Sequence, residues 1–532
     1  MEQYKNMEKL RSKKSMILAL IMICTIQLVV SLFWAGQKNY LFFDEVFSYP
    51  AANTLREEQL EFKGNEWMDE TWVSNYMGTA EENAFSYSIP YENQVSDVHP
   101  PLFYLLLHTA CSFVPGEFSY FAGMSFNMVF FLGCSIVLYF LGKEVFGRKE
   151  CGLLAALLYA VSYGGLNTVV YIRMYMLMTF MALAHALVYL KYMEQKKIPN
   201  RGYIFLTMTL VGGVLSQYYF LFIAFFFGVW YTIKFFIEKR YQVLLKYLGT
   251  IIASAVCSLA IWPAMLHHLF GGVRGEEAQE NFLSLSGYFS DLKEMFRILN
   301  NEMFTKLLVP ILAALAVLFL LYYKKEKKVN KELSRKVLAL LFVCTGYFLL
   351  VTKVAPYQVE RYVMPIYPFV NLLVVSTAYI LFAKFIPKKF LVALCMLGFG
   401  GLSIIHMVHS GIPYTYAKNG NNIERHAVAE EYSDNYALYI SDNGECHWFD
   451  PMQMLKEYKG FYHVFDLTSI EETKADMEIL EGEENLVVYL RNERTIEEAN
   501  EFIQKVFSEG TLDEESLLDE DEEWNVYLLK LH

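Results

Sequence analysis

The chain is 532 residues long, 55% hydrophobic and 16% aromatic, a composition too apolar for an ordinary water-soluble protein. Its net charge of −12 conceals two electrostatic bodies: from Ile412 onward there are 29 acidic and 9 basic residues, a net of −20, which leaves +8 for everything before. No basic face is interleaved with base-stacking aromatics, which argues against nucleic-acid binding. The eight cysteines form neither a CxxC pair nor a disulfide framework.

In chain order, the apolar run Met16 to Gly36 is long enough to span a bilayer and lacks a small-residue cleavage site, so it reads as a retained first helix. An outer loop over 37–118 follows. Just past the span, in YLFFDEVFSYP, stand Asp44 and Glu45. Two carboxylates among aromatics near the membrane surface suit a general base with an electrostatic or metal-binding neighbour, although acidic residues also decorate many outer loops. Further on comes DVHPPLFYLLLH, Asp97 to His108. A residue before proline is pushed out of helical geometry, while prolines suit the first turn of a helix, so the loop should end at His99 and a helix begin at Pro100-Pro101. Leu102 to Leu107, which includes Tyr104, is too short to span and reads as an interfacial helix.

Further apolar runs lie at about 119–142, 151–172, 174–192, 203–237, 244–266, 307–323, 337–352, 362–383 and 390–411. The 203–237 run is long for one helix, and basic clusters flank it on both sides, which predicts two passes turning near Ser216-Gln217. Arg173, in VVYIRMYML, sits at the junction of two runs, and Arg361, in VERYVMPIYP, at the end of another. A guanidinium there can hold a phosphate at headgroup depth through its planar fork; taken singly, either could equally be snorkelling to the interface.

The positive-inside rule puts the basic clusters at Lys9 to Lys14, Lys143 to Lys149, Lys191 to Arg201, Lys239-Arg240, Lys324 to Lys336 and Lys384 to Lys389 in the cytoplasm, and the alternation closes with eleven passes. The N-terminus is then cytoplasmic. Asp44, Glu45, Asp97, His99, Arg173 and Arg361 all fall on the outer side, with the C-terminal region. That region reads as short strands and helices at Ala437 to Ser441, Gln453 to Tyr458, Tyr462 to Leu467, Ile470 to Leu480, Asn485 to Arg491, Ile496 to Phe507 and Asn525 to Leu531, with the acidic run Asp513 to Glu523 as a solvated loop. The expectation is an all-α polytopic membrane protein of about 11 transmembrane helices, residues 1–411, in the cell membrane, with a small extracytoplasmic α/β domain over 412–532.

Asp44-Glu45 after the first span, His99-Pro100-Pro101 followed by Leu102-Phe103-Tyr104, Arg173-Met174-Tyr175, and Arg361-Tyr362 with Pro365 together resemble the GT-C superfamily of polytopic glycosyltransferases, in particular family 39 with its protein mannosyltransferases and aminoarabinose transferase-like enzymes. The resemblance covers roughly Met16 to Gly411. It implies inverting transfer of a sugar from a polyprenyl-phosphate donor to an extracytoplasmic glycan, lipid or protein. It implies Asp44 as base with Glu45 beside it, Arg173 and Arg361 on the donor phosphate, and Asp97, His99 and Tyr104 as substrate or divalent-cation candidates; whether a metal takes part is left open. Some relatives carry lysine where His99 stands, and the resemblance does not extend to the region after Ile412. The main rival is a polytopic lipid or solute transporter or flippase, which would place ionisable residues along a mid-membrane path, where only His185 is deep.

Overall fold

The computed structural model describes residues 2–59, 65–284, 286–326, 331–383, 386–441, 457–508, 510–520 and 523–531. It resolves into two compact units, each drawn from separate stretches of chain.

The first unit comprises Met1–Gly36, Tyr91–Leu106 and Gly123–Ile412 and contains most of the apolar helices. Across the described residues, eight helices are long and apolar enough to cross a membrane: Lys14–Ala35, Tyr120–Phe146, Tyr175–Met193, Phe220–Ile237, Tyr241–Ile261, Glu332–Val354, Met364–Phe382 and Phe390–Thr415. At a rise of about 1.5 Å per residue these reach the roughly 30 Å of a hydrocarbon core or come close to it. The chain is a multi-pass membrane protein. Two bent pairs bring the number to ten if each is one span: Lys149–Ala160 with Tyr163–Val170, at 56°, and Tyr288–Phe304 with Leu308–Leu321, at 78°. The expected total of eleven also counts Asn200–Ser216, whose 17 residues stand at the short end of the spanning range. The long 203–237 run does divide where two passes would require, because Gln217 is extended and ends the helix.

The 151–172 run, expected as one straight span, is broken. Ser162 leaves helical geometry and its Oγ accepts the Gly165 N–H, which caps a new helix at Tyr163. Hydropathy registers only length and apolarity, and a cap changes neither. Nearby, the backbones of Tyr120–Phe146 and Lys149–Ala160 approach so closely that a Cβ on Gly152 would lie 2.2 Å from the Tyr139 carbonyl oxygen. Only glycine permits that approach.

The second unit comprises Gln37–Pro90, Leu107–Ala122 and Pro413–His532. Its six-stranded sheet contains β1 (Trp67–Met68), β2 (Tyr436–Ile440), β3 (Phe461–Val464), β4 (Asn485–Arg491), β5 (Leu517–Glu520) and β6 (Trp524–Lys530), in the spatial order β1-β3-β2-β4-β6-β5. β2 lies parallel to β3 and β4; the remaining pairs are antiparallel. Leu438, Ile440, Val464, Leu486, Val488 and Leu490 alternate onto one face, where they pack against Ala499, Phe502, Ile503 and Val506 of the helix Ile496–Phe507. Those four are spaced as one helical stripe, and Thr495 with Glu498 closes a reciprocal capping box at the start. On the opposite face the Tyr439 and Tyr489 rings stack 4.6 Å apart, with Trp524 edge-on.

The C-terminal α/β reading agrees with this sheet in its strands and helices, apart from Gln453 to Tyr458, of which residues 453–456 lie outside the described set. The acidic run is not wholly loop, since Leu517–Glu520 pairs with β6. Backbone pairing asks little of the side chains at a sheet edge, and charges there block edge-to-edge association.

Candidate functional site

In the first unit, the chain turns at Gln94 to Asp97, stays non-helical through Val98 and His99, and starts the ten-residue apolar helix Leu102–Cys111 after the two prolines. The turn brings His99 Nδ1 within 2.9 Å of Asp97 Oδ2. Arg173 reaches the same place from the short gap between Tyr163–Val170 and Tyr175–Val188. Its guanidinium lies 3.1 Å from His99 Nε2 and donates to the Tyr104 hydroxyl at 3.2 Å, while Arg173 itself is 6% exposed.

An arginine donates and never accepts, so its contact with His99 requires a lone pair on Nε2. The imidazole proton then resides on Nδ1 and points at Asp97. The result is an ordered chain from carboxylate to imidazole to guanidinium that fixes which way the Arg173 fork faces. Burial works against the Asp97 charge, but the His99 ring, through its hydrogen bond and, when protonated, its charge, outweighs it together with Arg173 and pulls the pKa down to about 2.

Arg361 lies on the tight turn Glu360–Tyr362, with its guanidinium 5.3 Å from the centre of the Tyr362 ring. It approaches the Tyr171 hydroxyl at 3.4 Å, and the Tyr171 carbonyl accepts the Arg173 backbone N–H at 2.8 Å. Tyr171 therefore links the two arginines. Its ring stacks on Tyr175, and Tyr362 packs edge-on against Tyr219 at 5.3 Å.

Sequence reasoning passed over Tyr171 and a second support. Trp262 Nε1 donates to the Tyr218 hydroxyl at 2.9 Å, Tyr218 lies 2.9 Å from His268 Nδ1, and His268 Nε2 lies 3.3 Å from the Val95 carbonyl oxygen. Each donor in this chain has an acceptor if the His268 proton is on Nε2, and burial lowers the pKa of the ring, favouring that neutral form. The chain braces the backbone two residues before Asp97. The one signal the sequence offers for this support is a histidine pair placed just beyond Trp262-Pro263.

Asp44 and Glu45 belong to the second unit, in the first turn of the helix Phe43–Asn53. Their side chains have different surroundings. Glu45 is fully buried: its carboxylate accepts the Phe42 N–H at 2.7 Å and lies 3.0 Å from Lys38 Nζ. Asp44 is half-buried. Among the described residues no three His, Cys, Asp or Glu side chains gather as a metal-ligand set.

The first unit also carries an apolar groove of about 880 Å³ beside the helices Phe220–Ile237 and Lys331–Val354, with Phe226, Trp230, Leu338, Phe342, Leu349 and Lys353 in its lining.

No family model and no curated protein sequence matches the chain. Among solved structures, ArnT from Cupriavidus metallidurans bound to undecaprenyl phosphate is similar over 96% of this chain and 97% of that one, at 8% identity and a TM-score of 0.48. The oligosaccharyltransferase AglB from Archaeoglobus fulgidus, in complex with an inhibitory peptide and a dolichol-phosphate, is similar over 90% of this chain and 69% of that one, at 11% identity and a TM-score of 0.44.

Proposed function

We propose that the protein is an inverting glycosyltransferase that moves a sugar from a polyprenyl-phosphate donor to an extracytoplasmic glycan, lipid or protein. The observation that carries this reading is the Asp97, His99, Arg173 and Tyr104 assembly, coupled to Arg361 through Tyr171. Two guanidiniums with fixed forks suit the phosphate that leaves, because its growing negative charge is stabilised best by donors already in position. The groove supports a lipid-borne donor: from Leu338 to Lys353 the helix rises about 22 Å, a length that an isoprenoid tail can line.

Asp44 is the base in this reading. Its carboxylate takes the acceptor's hydroxyl proton as that oxygen attacks the anomeric carbon, and the bond from that carbon to the phosphate oxygen breaks on the opposite side, releasing polyprenyl phosphate. The N-terminus is cytoplasmic, and the α/β domain after Ile412 lies outside, where it meets the acceptor. His185, the deep ionisable residue on which a transport reading would lean, lies 2.9 Å from Thr209 Oγ1 and is ringed by Tyr189, Phe220 and Phe227, the surroundings of a packing residue.

The test is reconstitution with a panel of polyprenyl-phosphate sugars and crude envelope acceptors, reading released polyprenyl phosphate. Release by the native protein with loss of at least about a hundredfold in Asp44→Asn is expected. Silence of the folded native protein across the panel, or equal release from both, overturns the proposal.

A further inference from the structure

Glu45 stands next to the proposed base, and its surroundings define a different part for it. Its side chain and that of Lys38 are both 0% exposed, and each Glu45 carboxylate oxygen lies 3.0 Å from Lys38 Nζ. Oε2 also accepts the Phe42 N–H at 2.7 Å. Lys38 donates in addition to the carbonyl of Tyr414. Around this pair the segment after the first span is joined to the segment after the last: Asn39 N–H donates to the Thr415 carbonyl at 3.2 Å, the Phe42 and Tyr414 rings meet at 5.8 Å, and the Tyr40 and Tyr416 rings at 4.9 Å.

We infer that Lys38 and Glu45 form a buried clamp that positions Asp44, and that Glu45 itself never touches substrate. A carboxylate with no exposed surface, whose oxygens face an ammonium and a backbone N–H, has nothing to offer an acceptor or a cation. Through Phe42 it sets the geometry of the first helical turn, and Asp44 projects from that turn about 100° around the axis from Glu45. The pair is held by mutual satisfaction, because either charge left alone in such burial is strongly unfavourable. The inference rests on the reading of Asp44 as base, and it makes Lys38 and Glu45 positioning residues.

The experiment compares the native protein with Glu45→Gln, Lys38→Met and the double variant, measuring kcat, donor KM and the rate at which a water-soluble carbodiimide labels Asp44, read by mass spectrometry. Each single variant leaves one buried charge unpaired, so kcat should fall by about a hundredfold, the scale of a misplaced base, with donor KM little changed. The double variant carries no buried charge, and the amide oxygen that Glu45→Gln introduces can still accept the Phe42 N–H. It should return to within about threefold of native kcat and of native Asp44 labelling. A double variant as inactive as Glu45→Gln, beside an active native protein, overturns the inference by making Glu45 a participant in the chemistry. Single variants with native kcat and native labelling overturn it by leaving the pair nothing to position. Should the native protein be silent, the reading of Asp44 as base fails, while the labelling rates still decide whether the clamp governs Asp44; failure of the double variant to restore them overturns the inference on that ground too.

Discussion

Arg173 depends on acceptors that are themselves held in place, so its orientation can be altered without touching it. Replacing His99 with alanine removes the Nε2 lone pair and should raise the donor KM about ten- to a hundredfold, the worth of one hydrogen bond to a charged group, as steady-state kinetics would read. Arg173→Lys keeps the charge and loses the fork, and should cost at least about tenfold in kcat/KM. Asp97 adds a pH signature. Its folded pKa, near 2, lies below the ordinary carboxylate value, so its stabilising contribution is complete above about pH 4 and is lost as pH falls toward 2. The difference in unfolding midpoint between the native protein and Asp97→Asn should therefore be level from pH 5 to 8 and shrink on acidification below that. Asp97, His99 and Arg173 were legible as candidates because prolines and lone charges beside apolar runs stand out, and Tyr104 through the family resemblance. Tyr171, Tyr218 and His268 were not, since a tyrosine or histidine at the end of a span acquires its meaning only from a partner on another helix.

At the scale of elements, hydropathy located the spans but gave no sign of the break inside 151–172. The bend at Ser162 comes from a hydroxyl capping a backbone N–H, and the sharper one between Phe304 and Leu308 comes at positive-φ residues Thr305 and Lys306. The approach between Tyr120–Phe146 and Lys149–Ala160 is likewise silent in hydropathy. Gly152→Ala would drive a methyl into the Tyr139 carbonyl and should cost about 1–3 kcal/mol, seen as a lower melting temperature in detergent. The helix Ile496–Phe507 was legible to its ends because its cap and its apolar stripe are local signals. The edge strand Leu517–Glu520 was not, because it owes its conformation to β6.

At the scale of the whole molecule, the second unit collects pieces from three places in the chain, and its parts depend on one another. Ending the protein at Ile412 removes the Tyr414 carbonyl from Lys38, the Thr415 carbonyl from Asn39 and the β3 partner from β1. Such a truncation should expose residues 37–90 to limited proteolysis and abolish transfer to every acceptor, with tryptic cut sites mapped by mass spectrometry as the measure. Composition alone determined that the chain lives in a membrane and ends in an acidic body, because apolar length and charge bias are additive along a sequence. The α/β character of that body and the candidates near His99 followed from local periodicity and proline geometry. What only the tertiary structure decided is which distant segments meet: that Lys38 takes up Glu45, that Tyr171 links two arginines 188 residues apart, and that a strand from the first loop joins the C-terminal sheet. Hydrogen bonds and ion pairs between remote residues leave no periodic trace in a single sequence, since each partner is chosen by the fold that brings it near.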